Sequence, residues 1–490
     1  MVKAPSRAVG TRISGQEDWW IHANGGVPMT GCGTRIATVS GLRGIVGDGL
    51  DPAILAEFAA AYAGGCEPGP IIVSHDGRVS AAVFVLAVEA AVRATGHDAW
   101  HVGATATPTV GFLVTERQAA GAIQVSASHN PPQYNGLKFF QRTGMVLDQM
   151  QGLELLGRLE RRDFGWKAWD ELGGSRHLDD PDAGHLARVV EIVDVAAIQQ
   201  RSFRVVLDAC HGAGGRMGTA LLRALGCEPT VFGAVADGRY DHAPEPTSAN
   251  LTSIAKVVPA LGADVGFAQD PDADRLAIID ETGRYIGEEL TLALAAQRRL
   301  GQKTGPVVLN LSTSRVTQNI AQSLGCPVIR TPVGEAHVVL GMLSAGAVLG
   351  GEGNGGVIDP RVGLVRDSFV AIALVLDLMA ATGAPLSELV DRLPRYAMVK
   401  HSFPIRRSAG PSNAERDQRL WRRIASRYPE AKVDDRDGLR LDWNDRWVHV
   451  RSSNTEPIVR VIAEAADPEL AHGLAAEVGQ KLAEDTDAVS

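Results

Sequence analysis

The sequence predicts an α/β protein: three similar α/β domains with mostly parallel mixed sheets, then a C-terminal α+β domain, around a central cleft. Three observations carry this reading. Continuous apolar runs such as Ile71-Ile72-Val73, Val205-Val206-Leu207 and Val307-Val308-Leu309 alternate with segments of helical period at 81–93, 217–225 and 315–324, as in sheets covered by helices on both faces. One order of features recurs three times: an apolar strand into a polar loop, a Pro-Thr or Thr-Pro loop, and a second strand into another polar loop. After Pro394 the pattern changes to short strands with hairpin turns at Asp437-Gly438 and Asn444-Asp445, between a helix at 412–428 and a last helix striped by Leu470, Leu474, Val478 and Leu482.

Composition sets the bounds. With 490 residues, 45% apolar and 21% charged, the chain suits roughly three or four domains with filled cores. The domains are drawn at 34–182, 183–286, 287–396 and 397–490. Residues 1–33 contain Gly, Pro and Trp without periodicity and are an extension of unknown role or an overlong start, Met29 lying just before the first convincing strand. A net charge of −9 without a basic tail argues against nucleic acid and anionic membranes as partners. The five cysteines are scattered and never form Cys-x-x-Cys, so neither a disulfide framework nor a zinc site is expected, and a reducing cytoplasm fits. The most apolar stretch, near 370–381, is interrupted by Asp377 and too short to span a bilayer, and the N-terminus lacks a signal-type apolar core.

In the first domain the strand at 71–73 leads into Ser74-His75-Asp76, Thr107-Pro108-Thr109 forms the middle loop, and a buried strand at 119–125 leads into Ser126-Ala127-Ser128-His129-Asn130-Pro131-Pro132. The prolines stop helix and ladder alike, leaving Ser128 at the tip of a loop. No Gly-x-Ser-x-Gly elbow is present, and His129, as immediate neighbour, is badly placed to be a triad base. A phosphate carrier suits Ser128 better than a peptide-cleaving nucleophile.

The second domain runs from the strand at 205–207 through Pro244-Glu245-Pro246-Thr247 to the strand at 264–268 and Asp270-Pro271-Asp272-Ala273-Asp274-Arg275. Carboxylates at alternate positions can converge on a hard divalent cation. An EF-hand is the rival reading, but its sixth-position glycine is Arg275 and the residues at 276–279 read as strand. The planar fork of Arg275 matches phosphate oxygens.

The third domain passes from the strand at 307–309 through Thr331-Pro332-Val333-Gly334 to Gly350-Gly351-Glu352-Gly353-Asn354-Gly355-Gly356. This run is too glycine-dense for a strand or helix, and its carboxylate and amide suit sugar hydroxyls. In the last domain, Arg451-Ser452-Ser453-Asn454-Thr455-Glu456-Pro457, followed by Arg460, combines a cation, hydroxyls and turn formers into an anion nest. Arg43, His129, Lys138 and His337 are further basic candidates. Ligands of such sheets gather at the carboxyl ends of strands, where these loops fall.

On four ordered motifs, Ser-Ala-Ser-His-Asn-Pro, Asp-Pro-Asp-Ala-Asp-Arg, Gly-Glu-Gly-Asn-Gly-Gly and Arg-Ser-Ser-Asn-Thr-Glu-Pro, the chain from about Ile36 onward resembles the α-D-phosphohexomutases, the superfamily of phosphoglucomutase, phosphomannomutase and phosphoglucosamine mutase. The resemblance implies a heart-shaped four-domain fold with one loop of each domain lining the cleft. It also implies a cytoplasmic isomerase that interconverts hexose 6-phosphates and hexose 1-phosphates through a phosphoserine and a bisphosphorylated sugar. Small-molecule sugar phosphates are the expected partners, the state is monomer or homodimer, and the cofactors are Mg²⁺ and a sugar 1,6-bisphosphate as activator. Carried over, Ser128 bears the phosphoryl group and joins Asp270, Asp272 and Asp274 around Mg²⁺. Arg43 and Lys138 assist proton transfer and charge stabilisation, with Lys138 the nominal base if burial and Arg43 depress its pKa. Glu352 and Asn354 read sugar hydroxyls, and Arg451, Ser453, Asn454 and Thr455 hold the distal phosphate. Many relatives have Gly-Glu-Met-Ser-Gly-His in the sugar loop; here Gly356 takes the histidine's place, and the motif is most similar to archaeal-type phosphoglucosamine mutases. A metal-dependent sugar phosphatase and a noncatalytic sugar phosphate sensor are the rival classes.

Overall fold

The computed structural model describes residues 36–38, 41–404, 413–452 and 458–487. The extension at 1–33 and the phosphate-loop candidates Ser453, Asn454 and Thr455 lie outside the described residues.

The first three domains share a four-strand core with the same order. In the first, Ala99–Ala104, Ile71–His75, Gly121–Val125 and Tyr134–Gln141 lie side by side; in the second, Glu228–Phe232, Arg204–Asp208, Val265–Gln269 and Leu276–Asp280; in the third, Val328–Thr331, Val307–Asn310, Leu349–Glu352 and Gly356–Ile358. Each time the chain-order sequence is second, first, third, fourth, with the first three strands parallel and the fourth antiparallel to the third. The first sheet is widened by Gly41–Val46, antiparallel to Tyr134–Gln141. The last domain is a five-stranded antiparallel sheet with helices Asn413–Ala425 and Pro468–Asp487.

The central strands are apolar on both faces because helices cover both; Ile71, Ile72, Val73, Val206, Leu207, Val307, Val308 and Leu309 are fully buried. The second and third domains share one hydrophobic cluster that includes Leu207, Phe267, Leu309, Leu349 and the helix Ser368–Thr382. The last domain has its own, built from Trp421, Val448, Val461 and Val478 among others. Asp377, inside the apolar helix, is buried and tied to Arg298 Nε at 2.6 Å. Among the described residues no helix is long and apolar enough to cross a membrane.

Three expectations are corrected. Thr107-Pro108 opens the helix Thr107–Glu116 rather than forming a loop, because proline in a first helical turn lacks only an N–H that has no partner there. The glycine run enters two strands, Leu349–Glu352 and Gly356–Ile358. Its neighbours press so close that a Cβ at Gly350 would meet Met342 Sδ at 2.2 Å. The last helix is striped by Ala471, Leu474, Val478 and Leu482, whereas Leu470 is exposed.

Candidate active site

Ser128 follows Gly121–Val125, the third strand of its domain's four-strand core, the position at which parallel α/β sheets expose ligand-binding loops. It is not at an exposed tip: it is buried and adopts a left-handed backbone with φ 50°, a conformation that costs a non-glycine residue about 1 kcal/mol or more. Other bonds hold it there. The Ser128 N–H donates to Ser126 Oγ at 2.9 Å, and Ser126 Oγ donates to Asp76 Oδ2 at 2.8 Å. Arg78 Nη2 donates to the Ser128 and Asn130 carbonyls, Nη1 to those of Pro131 and Tyr134, and Nε to Asp76 at 3.0 Å. Sequence reasoning stopped at Asp76 and missed Arg78; the polar run Asp76-Gly77-Arg78 at the end of an apolar strand was the available signal.

Ser128 Oγ donates to Asp270 Oδ2 at 2.9 Å and lies 3.2 Å from His129 Nδ1. Burial, then Arg275 and Arg43, push His129 down to about 2, so its ring is neutral. Arg43 Nη1 donates to Asn130 Oδ1 at 3.0 Å.

The loop between Val265–Gln269 and Leu276–Asp280 buries Asp270, Asp272 and Asp274 completely, with one ligand oxygen from each lying within 4.8 Å of the others. Asp272 Oδ1 and Asp274 Oδ1 are buried without hydrogen-bond partners. Burial, together with Asp272 and Asp274, pushes Asp270 well above the ordinary carboxylate range, the response of crowded like charges. Three converging carboxylates, two of them with an oxygen that lacks any partner, fit a hard divalent cation. Thr107 supports the loop: its N–H donates to the Asp272 carbonyl at 2.9 Å and its Oγ1 to Asp272 Oδ2 at 2.8 Å.

Lys138 corrects an expectation. Its Nζ donates to Asp272 Oδ2 and, at 2.9 Å, to Asp274 Oδ2. Burial acts against its charged form, yet the two aspartates outweigh burial and hold the ammonium above the ordinary lysine range. In this arrangement it is a paired cation, not a depressed base. Arg275 donates its backbone N–H to Asp270 Oδ1 at 3.1 Å, and its Nε, 3.8 Å from Asp274 Oδ1, has no hydrogen-bond partner.

Glu352 closes the third strand of its domain. It accepts from Asn310 Nδ2 at 2.7 Å, Gly334 N at 3.0 Å and Arg366 Nη1 at 2.8 Å. Burial opposes its charge, but Arg366, Asn310 and Gly334 hold it below the ordinary carboxylate range. Arg366 Nη2 also donates to Asp274 Oδ2 at 2.7 Å, joining the aspartate loop to the glycine loop. Arg366 escaped the sequence reading; Arg366-Asp367 directly before a long apolar helix was its only signal. Asn354 is half-buried with Nδ2 3.5 Å from Glu352 Oε2, and His337 is half-buried in the first turn of helix Glu335–Ala345.

Ser128, His129, Arg43, Lys138, the three aspartates, Arg275 and Glu352 thus form one connected cluster from three domains. Arg451 and Arg460 stand on the fourth, directly opposite each other on Arg446–Ser452 and Ile458–Ala465. Arg451 Nε is 3.5 Å from Asp437 Oδ1, and Asp437 Oδ2 accepts from Val333 N at 2.8 Å, one residue before Gly334.

Comparison with known proteins agrees across the chain. Residues 34–165, 183–283 and 287–396 match "Phosphoglucomutase/phosphomannomutase, alpha/beta/alpha" domains I, II and III, and 414–481 match the C-terminal domain. A "Phosphoglucomutase/phosphomannomutase" of Thermococcus kodakarensis is 35% identical over 91% of this chain and 97% of its own. A "probable phosphoglucosamine mutase" of Methanopyrus kandleri is 34% identical over 89% and 95%. The crystal structure of a phosphoglucomutase/phosphomannomutase family protein from Burkholderia thailandensis superposes with a TM-score of 0.77 at 26% identity, covering 91% of this chain and 97% of that one.

Proposed function

The chain belongs to the phosphoglucomutase/phosphomannomutase family, an isomerase family of phosphohexomutases, and from that premise we propose that Ser128 is the phosphoryl carrier in interconversion of hexose 6-phosphates and hexose 1-phosphates, with glucosamine phosphate the preferred sugar. The observation that carries this reading is the 2.9 Å contact of Ser128 Oγ with Asp270 inside a buried carboxylate triad.

Moving a phosphoryl group between two oxygens of one sugar requires a donor that is loaded at rest, so the working form carries phosphate on Ser128. In the first half, a sugar hydroxyl oxygen attacks phosphorus; the new P–O bond forms as the bond to Ser128 Oγ breaks, the proton lost by the sugar hydroxyl is balanced by the one that Ser128 Oγ regains, and a bisphosphorylated sugar results. In the second half the other phosphoryl returns to Ser128 Oγ, and a sugar 1,6-bisphosphate from solution reloads an enzyme that has lost its phosphate. Mg²⁺ held by Asp270, Asp272, Asp274 and an oxygen of the phosphorylated serine would withdraw charge from the transferring group. The strained Ser128 backbone and its Arg78 clamp fix the direction of approach. Lys138, Arg43 and Arg275 supply positive charge beside it, and Glu352 and Asn354 orient the sugar. Arg451 and Arg460 hold the nonreacting phosphate.

Glucosamine phosphate is supported by the glycine-loop motif and by the phosphoglucosamine mutase name of the Methanopyrus relative. The Thermococcus relative's name favours glucose and mannose phosphates as the second reading. Isomerisation of glucosamine, N-acetylglucosamine, glucose and mannose 6-phosphates, assayed side by side, decides between them. Ser128→Ala should abolish isomerisation while sugar phosphate binding remains measurable; turnover near that of the parent removes the carrier role. Inorganic phosphate released in step with substrate loss would establish a phosphatase instead.

A further inference from the structure

At two positions in the sugar loop, Gly353 and Gly356, the space left bare by glycine is filled by charged side chains from other elements, Glu289 and Arg366. A Cβ at Gly356 would lie 2.3 Å from Arg366 Cδ and 2.8 Å from its Cγ. Residue 356 admits this arginine because it has no side chain. Arg366 comes from the segment between Gly356–Ile358 and Ser368–Thr382 and is buried. Its guanidinium is divided among carboxylates of separate elements: Nη2 donates to Asp274 Oδ2 at 2.7 Å, Nη1 to Glu352 Oε2 at 2.8 Å, and Nε is 3.3 Å from Glu335 Oε2. With Asp274 Oδ2 taken by Arg366 and Lys138, Oδ1 is the oxygen left to face a cation.

We propose that Arg366 is the positioning residue that sets Asp274 and Glu352 relative to each other, so that one rigid fork aligns the cation site of the second domain with the sugar-reading carboxylate of the third. This deepens the mutase reading and rests on it for the roles of the two carboxylates. A planar guanidinium fixes both the distance and the angle between two acceptors, which the point charge of a lysine does not. Groups that orient metal ligands from behind typically matter by about tenfold or more in affinity. Gly356 is the other half of the device: any side chain there displaces the arginine without altering a charge.

The test compares Arg366→Gln, Arg366→Lys, Gly356→Ala and the double variant Gly356→Ala/Arg366→Gln in the full chain. Calorimetric titrations with Mg²⁺ alone and glucosamine 6-phosphate alone accompany measurements of kcat and KM. Arg366→Gln should weaken both ligands by about tenfold, and Gly356→Ala should reproduce both losses. The double variant should bind no worse than the poorer single variant, because both changes remove one element. Arg366→Lys should restore thermal stability without restoring both affinities. Loss of one affinity alone, full recovery in Arg366→Lys, or losses that multiply in the double variant would overturn the proposal. If Arg366→Gln does not fold, Gly356→Ala and Arg366→Lys decide by the same criteria. The titrations need no turnover, so a chain that binds both ligands but does not isomerise refutes the mutase reading while Arg366 is still judged.

Discussion

Arg78 Nη2 donates to the carbonyl oxygen of Ser128 at 2.6 Å, so the backbone of the candidate carrier is held by a residue on a different strand end. Arg78→Ala frees four carbonyls and leaves Asp76 buried without its cation. Breaking a buried pair from one side costs about 3 kcal/mol, and a displaced reacting atom can lower kcat by about a hundredfold. Urea denaturation and kcat on the same variant check this; unchanged values in both would mean that the Ser126–Asp76 bond alone holds the loop.

Divalent metal should stabilise the fold as well as activate it, because it relieves the crowding of Asp270, Asp272 and Asp274. At a hundred times its dissociation constant a ligand adds about 2.7 kcal/mol. Chelator-treated protein should lose activity and melt earlier, and Mg²⁺ should restore both. Asp272→Asn should blunt the rise in melting temperature; an undiminished rise places the cation elsewhere.

Stability should depend on pH through Glu289. This carboxyl lies against Gly353 and accepts from Ser314 N at 2.9 Å, and burial pushes it up to about 8 although Lys400 opposes the shift. The folded state therefore keeps its proton to higher pH than the unfolded chain, whose glutamate titrates near about 4.3. Its contribution is complete below that value and declines as pH rises toward 8, by up to about 1.4 kcal/mol per pH unit. Glu289→Gln should lessen the decline in denaturation curves taken between these limits, and an identical slope would dismiss the assignment.

Arg451 stands opposite Arg460 on neighbouring strands, with its Nε 3.5 Å from Asp437 Oδ1. Arg451→Ala should raise KM for a sugar phosphate by about tenfold, the worth of one charge-assisted hydrogen bond, with kcat little changed. A fall in kcat at constant KM would point to a part in the transfer step instead.

Much of this was legible beforehand because it depends on local pattern. Apolar runs gave the strands, and loops at their carboxyl ends gave Ser128, the aspartates and Glu352. Arg78, Thr107 and Arg366 were not found as site residues because their importance lies in partners far along the chain, such as Asp272 for Thr107 and Asp274 for Arg366. Lys138 was found but its ionisation was misjudged, since the deciding aspartates belong to another domain. The glycine run misled because glycine weakens an isolated strand, whereas here Met342 and Leu292 press closely against it.

The second and third domains have one oily interior, while the fourth meets the third through polar contacts: Ser312 with His449, Val333 with Asp437, and Arg315 with Asp442. Water can replace such bonds at little net cost, whereas parting a shared interior exposes hydrocarbon. Parting the fourth domain from the third therefore uncovers less hydrocarbon than parting the third from the second, and added salt should loosen the first of these boundaries more than the second.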